Sequence, residues 1–159
     1  MSEGEKGRII VIDDDEGIRR VVAIALGNEG YITATASNGK EAIEKSQTNF
    51  YNLALIDIRL PDMDGTTLLT AMKETTPEMR KIILTGFPAL QNAIDAVNKG
   101  GDGYLVKPLN MDELLRTVRQ QLEKQREVKE YGQTKVAEYV ETRIREMQAE
   151  EHTKPSKSP

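Results

Sequence analysis

The sequence contains no cysteine and no tryptophan, only two phenylalanines, and a single histidine. Without thiols there are no disulfide frameworks, thiolate zinc sites or cysteine nucleophiles, which agrees with a reducing compartment. The lone His152 lies near the C-terminus, so a His-rich metal site cannot form, and a Ser-His-Asp triad would have to draw its base from a polar tail. Long apolar runs are missing as well: Met1–Arg8 is polar, and the run Ile9–Ile12 stops at Asp13, far short of a signal-peptide core or a membrane span. A cytoplasmic location with no membrane partner is the expectation. Nor is there an excess of positive charge, since 22 Lys+Arg stand against 26 Asp+Glu for a net charge of −4. Nothing in that balance would hold a polyanion, which sets nucleic acid aside as a direct partner.

What is present fits one domain and a short appendage. The chain has 159 residues, 38% of them apolar, and autonomous domains cluster near about 100–150 residues. Four short apolar runs, Arg8–Ile12, Leu53–Ile56, Lys81–Leu84 and Gly103–Val106, read as strands buried on both faces. A weaker strand is predicted at Tyr31–Ala36. Between the strands, Ile18, Val21, Val22, Ala25 and Leu26 have helix-stripe spacing, closed by Gly27 or Gly30, and further helices are predicted at Gly39–Gln47, Thr66–Thr75 and Ala89–Lys99. After Met111 a long polar helix follows, with Leu114, Leu115, Val118 and Leu122 as its packing stripe. Five strands thus alternate with five helices, a pattern that demands a parallel sheet covered on both faces, in the doubly wound α/β class. In that class, ligands bind where the C-terminal ends of the strands meet at a reversal of strand order.

Those ends carry the chemistry. The first strand runs into Asp13, Asp14, Asp15 and Glu16. A helix N-terminus favours acids, so capping accounts for Asp15 and Glu16. Asp13 and Asp14 lie earlier, at the sheet edge, and Asp57 ends the third strand, which order reversal places beside them. Three clustered carboxylates are electrostatically unstable without a cation, and hard oxygen donors suit Mg²⁺, or Mn²⁺ in its place. Thr85 ends the fourth strand and Lys107 the fifth, adding a hydroxyl and an ammonium. Together these residues form a set that can bind a phosphoryl group, with Asp57 as nucleophile.

The segments IIVIDDDEGIRR, LALIDIRLPDMDG, IILTG and GYLVKPL resemble the receiver domain of two-component response regulators, over about residues 7–125. The spacings agree: 43 positions from Asp14 to Asp57, 28 on to Thr85 and 22 more to Lys107. The resemblance implies a flavodoxin-like sheet of order 2-1-3-4-5. It implies that a partner histidine kinase or phosphotransfer protein phosphorylates Asp57, that Asp13 and Asp14 bind Mg²⁺ with the backbone carbonyl of Arg59, and that Lys107 pairs with the phosphoryl group. Thr85 would move toward that group. Tyr104 would follow Thr85 and alter the face formed by the predicted helix 89–99, the strand Gly103–Val106 and the helix from Met111, where a downstream protein docks. Pro108 matches a family proline preceded by a cis peptide. Arg59 and Phe87 match positions that tune phosphoryl lifetime, and their bulk predicts a long one. Asp62, Asp64 and Gly65 read as a turn that starts the next helix. The activity so implied is self-catalysed phosphoryl transfer to Asp57 and its later loss, not a turnover enzyme.

Two rivals fail on single positions. A haloacid-dehalogenase-type phosphatase needs a general acid two residues after its Asp nucleophile, where this chain has Arg59. An FMN carrier needs a phosphate-binding loop where this chain has Asp13–Glu16. Beyond residue 125 about 34 residues remain, and Glu123–Pro159 holds eight Lys+Arg and eight Asp+Glu. That is too short and too neutral for a DNA-binding output domain. Residues 126–150 read as a helical extension broken at Gly132, with Val136, Tyr139, Val140, Ile144 and Met147 on one side, and 151–159 as a disordered tail with His152 solvated in it. The region around Thr85–Leu115 resembles nitrogen-regulator-type receivers, whose linker helices dimerise. A receiver and dimerising linker cut from a longer transcriptional regulator is therefore the alternative to a stand-alone receiver. An unbroken helix from Met111 to Glu150 would span about 60 Å and would need a partner, such as a second copy, for its stripe.

Overall fold

The computed structural model describes residues 6–86 and 101–153. Its strands are β1 (Arg8–Ile12), β2 (Ile32–Ala36), β3 (Leu53–Asp57), β4 (Arg80–Thr85) and β5 (Gly103–Val106). All pair in parallel, in the order β2-β1-β3-β4-β5. Four helices occur among the described residues: α1 (Glu16–Asn28), α2 (Gly39–Thr48), α3 (Gly65–Thr75) and α4 (Met111–Thr153). The fifth expected helix, Ala89–Lys99, and the lifetime position Phe87 lie outside the described residues.

Because successive strand residues point to opposite faces, one sheet builds two cores. Ile9, Val11, Leu53, Leu55, Ile82 and Leu84 pack with Val22 and Leu26 of α1 and Leu114, Val118 and Leu122 of α4. Ile10, Ile12, Ala54, Ile56 and Ile83 pack on the other side with Ala42 of α2 and Leu68, Leu69 and Met72 of α3. Every residue of β3 is buried, which is why the central strands read as unbroken apolar runs and not as alternations.

The described chain divides into two compact units, up to Glu123 and from Lys124. The expected break at Gly132 does not occur: α4 is a single helix of 43 residues. A helical glycine costs only about 1 kcal/mol against alanine, and the residues after it supply offsetting pairs, Lys135–Glu138 at 3.6 Å, Glu141–Arg145 at 2.5 Å and Arg143–Glu146 at 2.8 Å. The helix also continues through Glu151–Thr153, where the sequence reads as disordered. In the second unit Val128, Tyr131, Val136, Tyr139, Val140, Ile144 and Met147 are all exposed.

Candidate phosphoryl-acceptor site

Register brings the acids together. Ile12 of β1 pairs with Ile56 of β3, so the residues that follow, Asp13 and Asp57, emerge side by side at the C-terminal rim. Thr85 pairs with Val106, which sets Lys107 beside the end of β4, and the Lys107 N–H donates to the Thr85 carbonyl at 2.6 Å. The Lys107–Pro108 peptide is cis, as expected.

Asp13, Asp57 and Thr85 are buried, whereas Asp14 is exposed at the mouth. One carboxylate oxygen from each of Asp13, Asp14 and Asp57 lies within 4.8 Å of the others. The Lys107 ammonium reaches Asp13 Oδ2 at 2.8 Å and Asp57 Oδ2 at 3.3 Å. Asp13 Oδ1 accepts from the Asp15 N–H at 3.0 Å, and Asp57 Oδ1 from the Arg59 N–H at 3.1 Å. Three carboxylates therefore face one ammonium, and the surplus negative charge, on hard oxygens open to solvent at Asp14, fits a small divalent cation.

The imbalance shows in proton affinity. Burial pushes the Asp57 carboxyl up to about 6; the Arg59 N–H pulls against it, the charge on Asp13 adds to the rise, and Lys107 opposes it. For Lys107, burial alone would lower the ammonium, but its contacts with Asp13 and Asp57 outweigh that and hold it above its ordinary value.

Neighbouring acids divide as capping chemistry expects. Asp15 is the N-cap of α1, its Oδ1 accepting from the Ile18 N–H at 3.1 Å. The Arg59 side chain is exposed. Tyr104 is half-buried against the α2/α3 core, and its hydroxyl is buried with no hydrogen-bond partner among the described residues.

Three features escaped the sequence reading. The Arg19 guanidinium donates to the Asp13 carbonyl at 2.7 Å. Gly65 sits so close beneath the acceptor that a Cβ there would lie 2.5 Å from the Asp57 carbonyl oxygen. Asp62, read as a turn residue, accepts from the Gly39 and Lys40 N–H groups at the start of α2, at 2.8 and 2.9 Å. No spacing signal could have found these, because each joins groups that only the fold brings together.

Residues 9–119 match the family model of the response regulator receiver domain. The chain belongs to that family. Receiver domains are signalling modules of two-component systems that interact with histidine kinases or phosphotransfer proteins, and aspartyl phosphorylation and Mg²⁺ binding are general features of the family. A CheY-like receiver domain protein of Methanospirillum hungatei superimposes with a TM-score of 0.73 at 39% identity, covering 76% of this chain and 96% of that one. NtrX of Brucella abortus gives a TM-score of 0.76 at 29% identity, over 79% of this chain and 29% of that one. The alginate biosynthesis transcriptional regulatory protein AlgB of Pseudomonas aeruginosa is 37% identical over 119 residues, which are 75% of this chain and 26% of AlgB. The chain thus spans about a quarter of the length of such curated relatives. No helix among the described residues is long and apolar enough to cross a membrane.

Proposed function

We propose that Asp57 is the phosphoryl acceptor of this receiver and that its phosphorylation, with Mg²⁺ held by Asp13, Asp14, Asp57 and the Arg59 carbonyl, switches a protein-binding face. The observation that carries this reading is the Lys107 ammonium bridging Asp13 and Asp57 inside a three-carboxylate cluster. Bound Mg²⁺ supplies positive charge that offsets the carboxylates and the incoming phosphoryl oxygens.

The chain's own groups do the rest. A carboxylate oxygen of Asp57 forms a bond to phosphorus as the P–N bond of the donor phosphohistidine breaks, and the electron pair of that bond leaves on the imidazole. Lys107 pairs with the transferred group, and the Thr85 hydroxyl turns to donate to it. Tyr104, packed beside the α2/α3 core, follows Thr85 and reshapes the face built on β5 and the first turns of α4. Arg59 and Phe87 restrict attacking water and prolong the phosphoryl state. The chain transfers the group to itself and later loses it, without turnover of a separate substrate.

The partners are a cytoplasmic sensor kinase or phosphotransfer protein and a downstream protein. A second reading, a receiver with the dimerising linker of a longer regulator, is favoured by the length of the relatives and by the exposed stripe Val136–Met147. Beryllofluoride, a phosphoryl mimic, tests the acceptor assignment: with Mg²⁺ it binds the wild type in a calorimeter and fails to bind Asp57→Asn. Equal binding by both would overturn it.

A further inference from the structure

The loop between β3 and α3 is held at its base and at its tip. At its base the Arg59 N–H donates to Asp57 Oδ1 at 3.1 Å, Arg59 bridges to Asp64 across the loop, and the Gly65 N–H donates to the Ile58 carbonyl at 2.7 Å. At its tip both carboxylate oxygens of Asp62 are engaged, Oδ1 by the Gly39 N–H and Oδ2 by the Lys40 N–H. Met63, next to Asp62, rests over Gly39 so closely that a Cβ at Gly39 would strike its thioether.

Helix α2 is already capped without Asp62. Asn38 accepts from the Glu41 N–H at 2.8 Å, and the Glu41 carboxylate accepts from the Ser37 N–H, one residue before the cap, at 3.0 Å. The Asp62 bonds add a two-point attachment that fixes the direction as well as the position of the loop tip. These two N–H donors also hold the exposed Asp62 carboxyl below its ordinary value.

We propose that Asp62 is a positioning residue for phosphoryl acceptance: by tying the loop tip to α2 it holds the Arg59 N–H that orients the Asp57 carboxylate. The proposal rests on the reading of Asp57 as acceptor. Asp62 touches none of the reacting atoms and acts through the loop backbone. One carboxylate oxygen is fixed by Arg59 and the other lies toward Lys107. A loop free at its tip would let the carboxylate turn, at a cost in affinity like that of losing an outer-shell partner.

The test compares the full chain with Asp62→Ala, Asp62→Asn and Asn38→Ala, reading beryllofluoride affinity with Mg²⁺, phosphorylation rate from acetyl phosphate and the Arg59 amide shift by NMR. Asp62→Ala is expected to weaken beryllofluoride binding by about tenfold, the low end for losing an outer-shell partner, slow phosphorylation and move the Arg59 amide resonance. Asp62→Asn, which keeps one acceptor oxygen, recovers part of each effect. Asn38→Ala removes a cap from the same helix and leaves affinity and the Arg59 amide unchanged, although it melts at lower temperature. Wild-type affinity in Asp62→Ala overturns the proposal, as does an equal loss in Asn38→Ala, which would reduce Asp62 to helix capping. Failure of the wild type itself to bind beryllofluoride would overturn the acceptor reading with it, so the two failures are distinct.

Discussion

At the N-terminal edge of the sheet, fully buried Lys81 donates from Nζ to the carbonyls of Thr76 and Met79, at 2.9 and 2.7 Å. Asp102 accepts there from the Lys81 N–H at 2.9 Å and pairs with Arg80 at 3.2 Å. At the opposite edge, Asp13, Asp14 and Asp57 share one ammonium. The same five strands thus end in buried charge twice, with opposite outcomes. At the first edge the buried ammonium is met by two carbonyls, with Asp102 nearby, and these bonds tie loops to the sheet, although burial lowers Lys81 from its ordinary value. Where acids outnumber cations, the surplus is a stability cost that a bound metal ion can offset, which is the usual bargain at a functional site.

The comparison breaks first at the metal. Asp14→Ala is expected to weaken Mg²⁺ binding by roughly 100-fold or more, at least as much as losing an outer-shell partner, while Asp102→Ala leaves it unchanged. Calorimetric titration of both variants checks this, and equal losses would erase the difference between the edges. Stability reverses the ranking. Lys81→Ala loses the buried stem and leaves two carbonyls without their donor, so denaturant unfolding should show a loss of about 2–4 kcal/mol with Mg²⁺ affinity intact.

Removing a charge at the functional edge has the opposite sign. Because the Asp57 carboxyl is raised to about 6 in the fold, the native state holds its proton more tightly than the unfolded chain does. Its ionisation therefore costs stability as pH rises from about 4 through about 6. Metal-free Asp57→Asn should be more stable than wild type by about 1–3 kcal/mol at pH 8, with the gap closing below pH 4. For the same reason, Mg²⁺ binding to wild type should weaken as pH falls below about 6. Unfolding curves and titrations across that range decide both.

The smallest effect lies at the start of α2, where the chain leaves β2. Glu41 is held below the usual carboxylate range, chiefly by the Ser37 N–H. Its contribution is present above its unfolded value and is lost as pH falls through the lower folded one. Since the side chain is 37% exposed, screening limits Glu41→Gln to a few tenths of a kcal/mol, or about that, in the same unfolding assay.

Much of the functional edge was legible because it is written at strand ends. Short apolar runs mark strands buried on both faces, and the residue after each run must emerge at the rim, so Asp13, Asp57, Thr85 and Lys107 could be gathered from spacing and strand order alone. The opposite edge was not legible in the same way. Lys81 reads as the polar start of an apolar run, and only the loop carbonyls of Thr76 and Met79, folded back over it, make it buried. Asp62 lies 23 positions from Gly39, with no periodicity to join them. Gly132 reads as a helix break because glycine propensity is a local property, while the ion pairs that follow act over the next turns.

The central claim is that Asp57 alone takes the phosphoryl group. Intact mass after incubation with acetyl phosphate, with and without Mg²⁺, tests it most directly on wild type and Asp57→Asn. The account predicts a gain of one phosphoryl group by wild type, only with Mg²⁺, and none by the variant. The same gain in Asp57→Asn, or a gain by wild type without the metal, would contradict it.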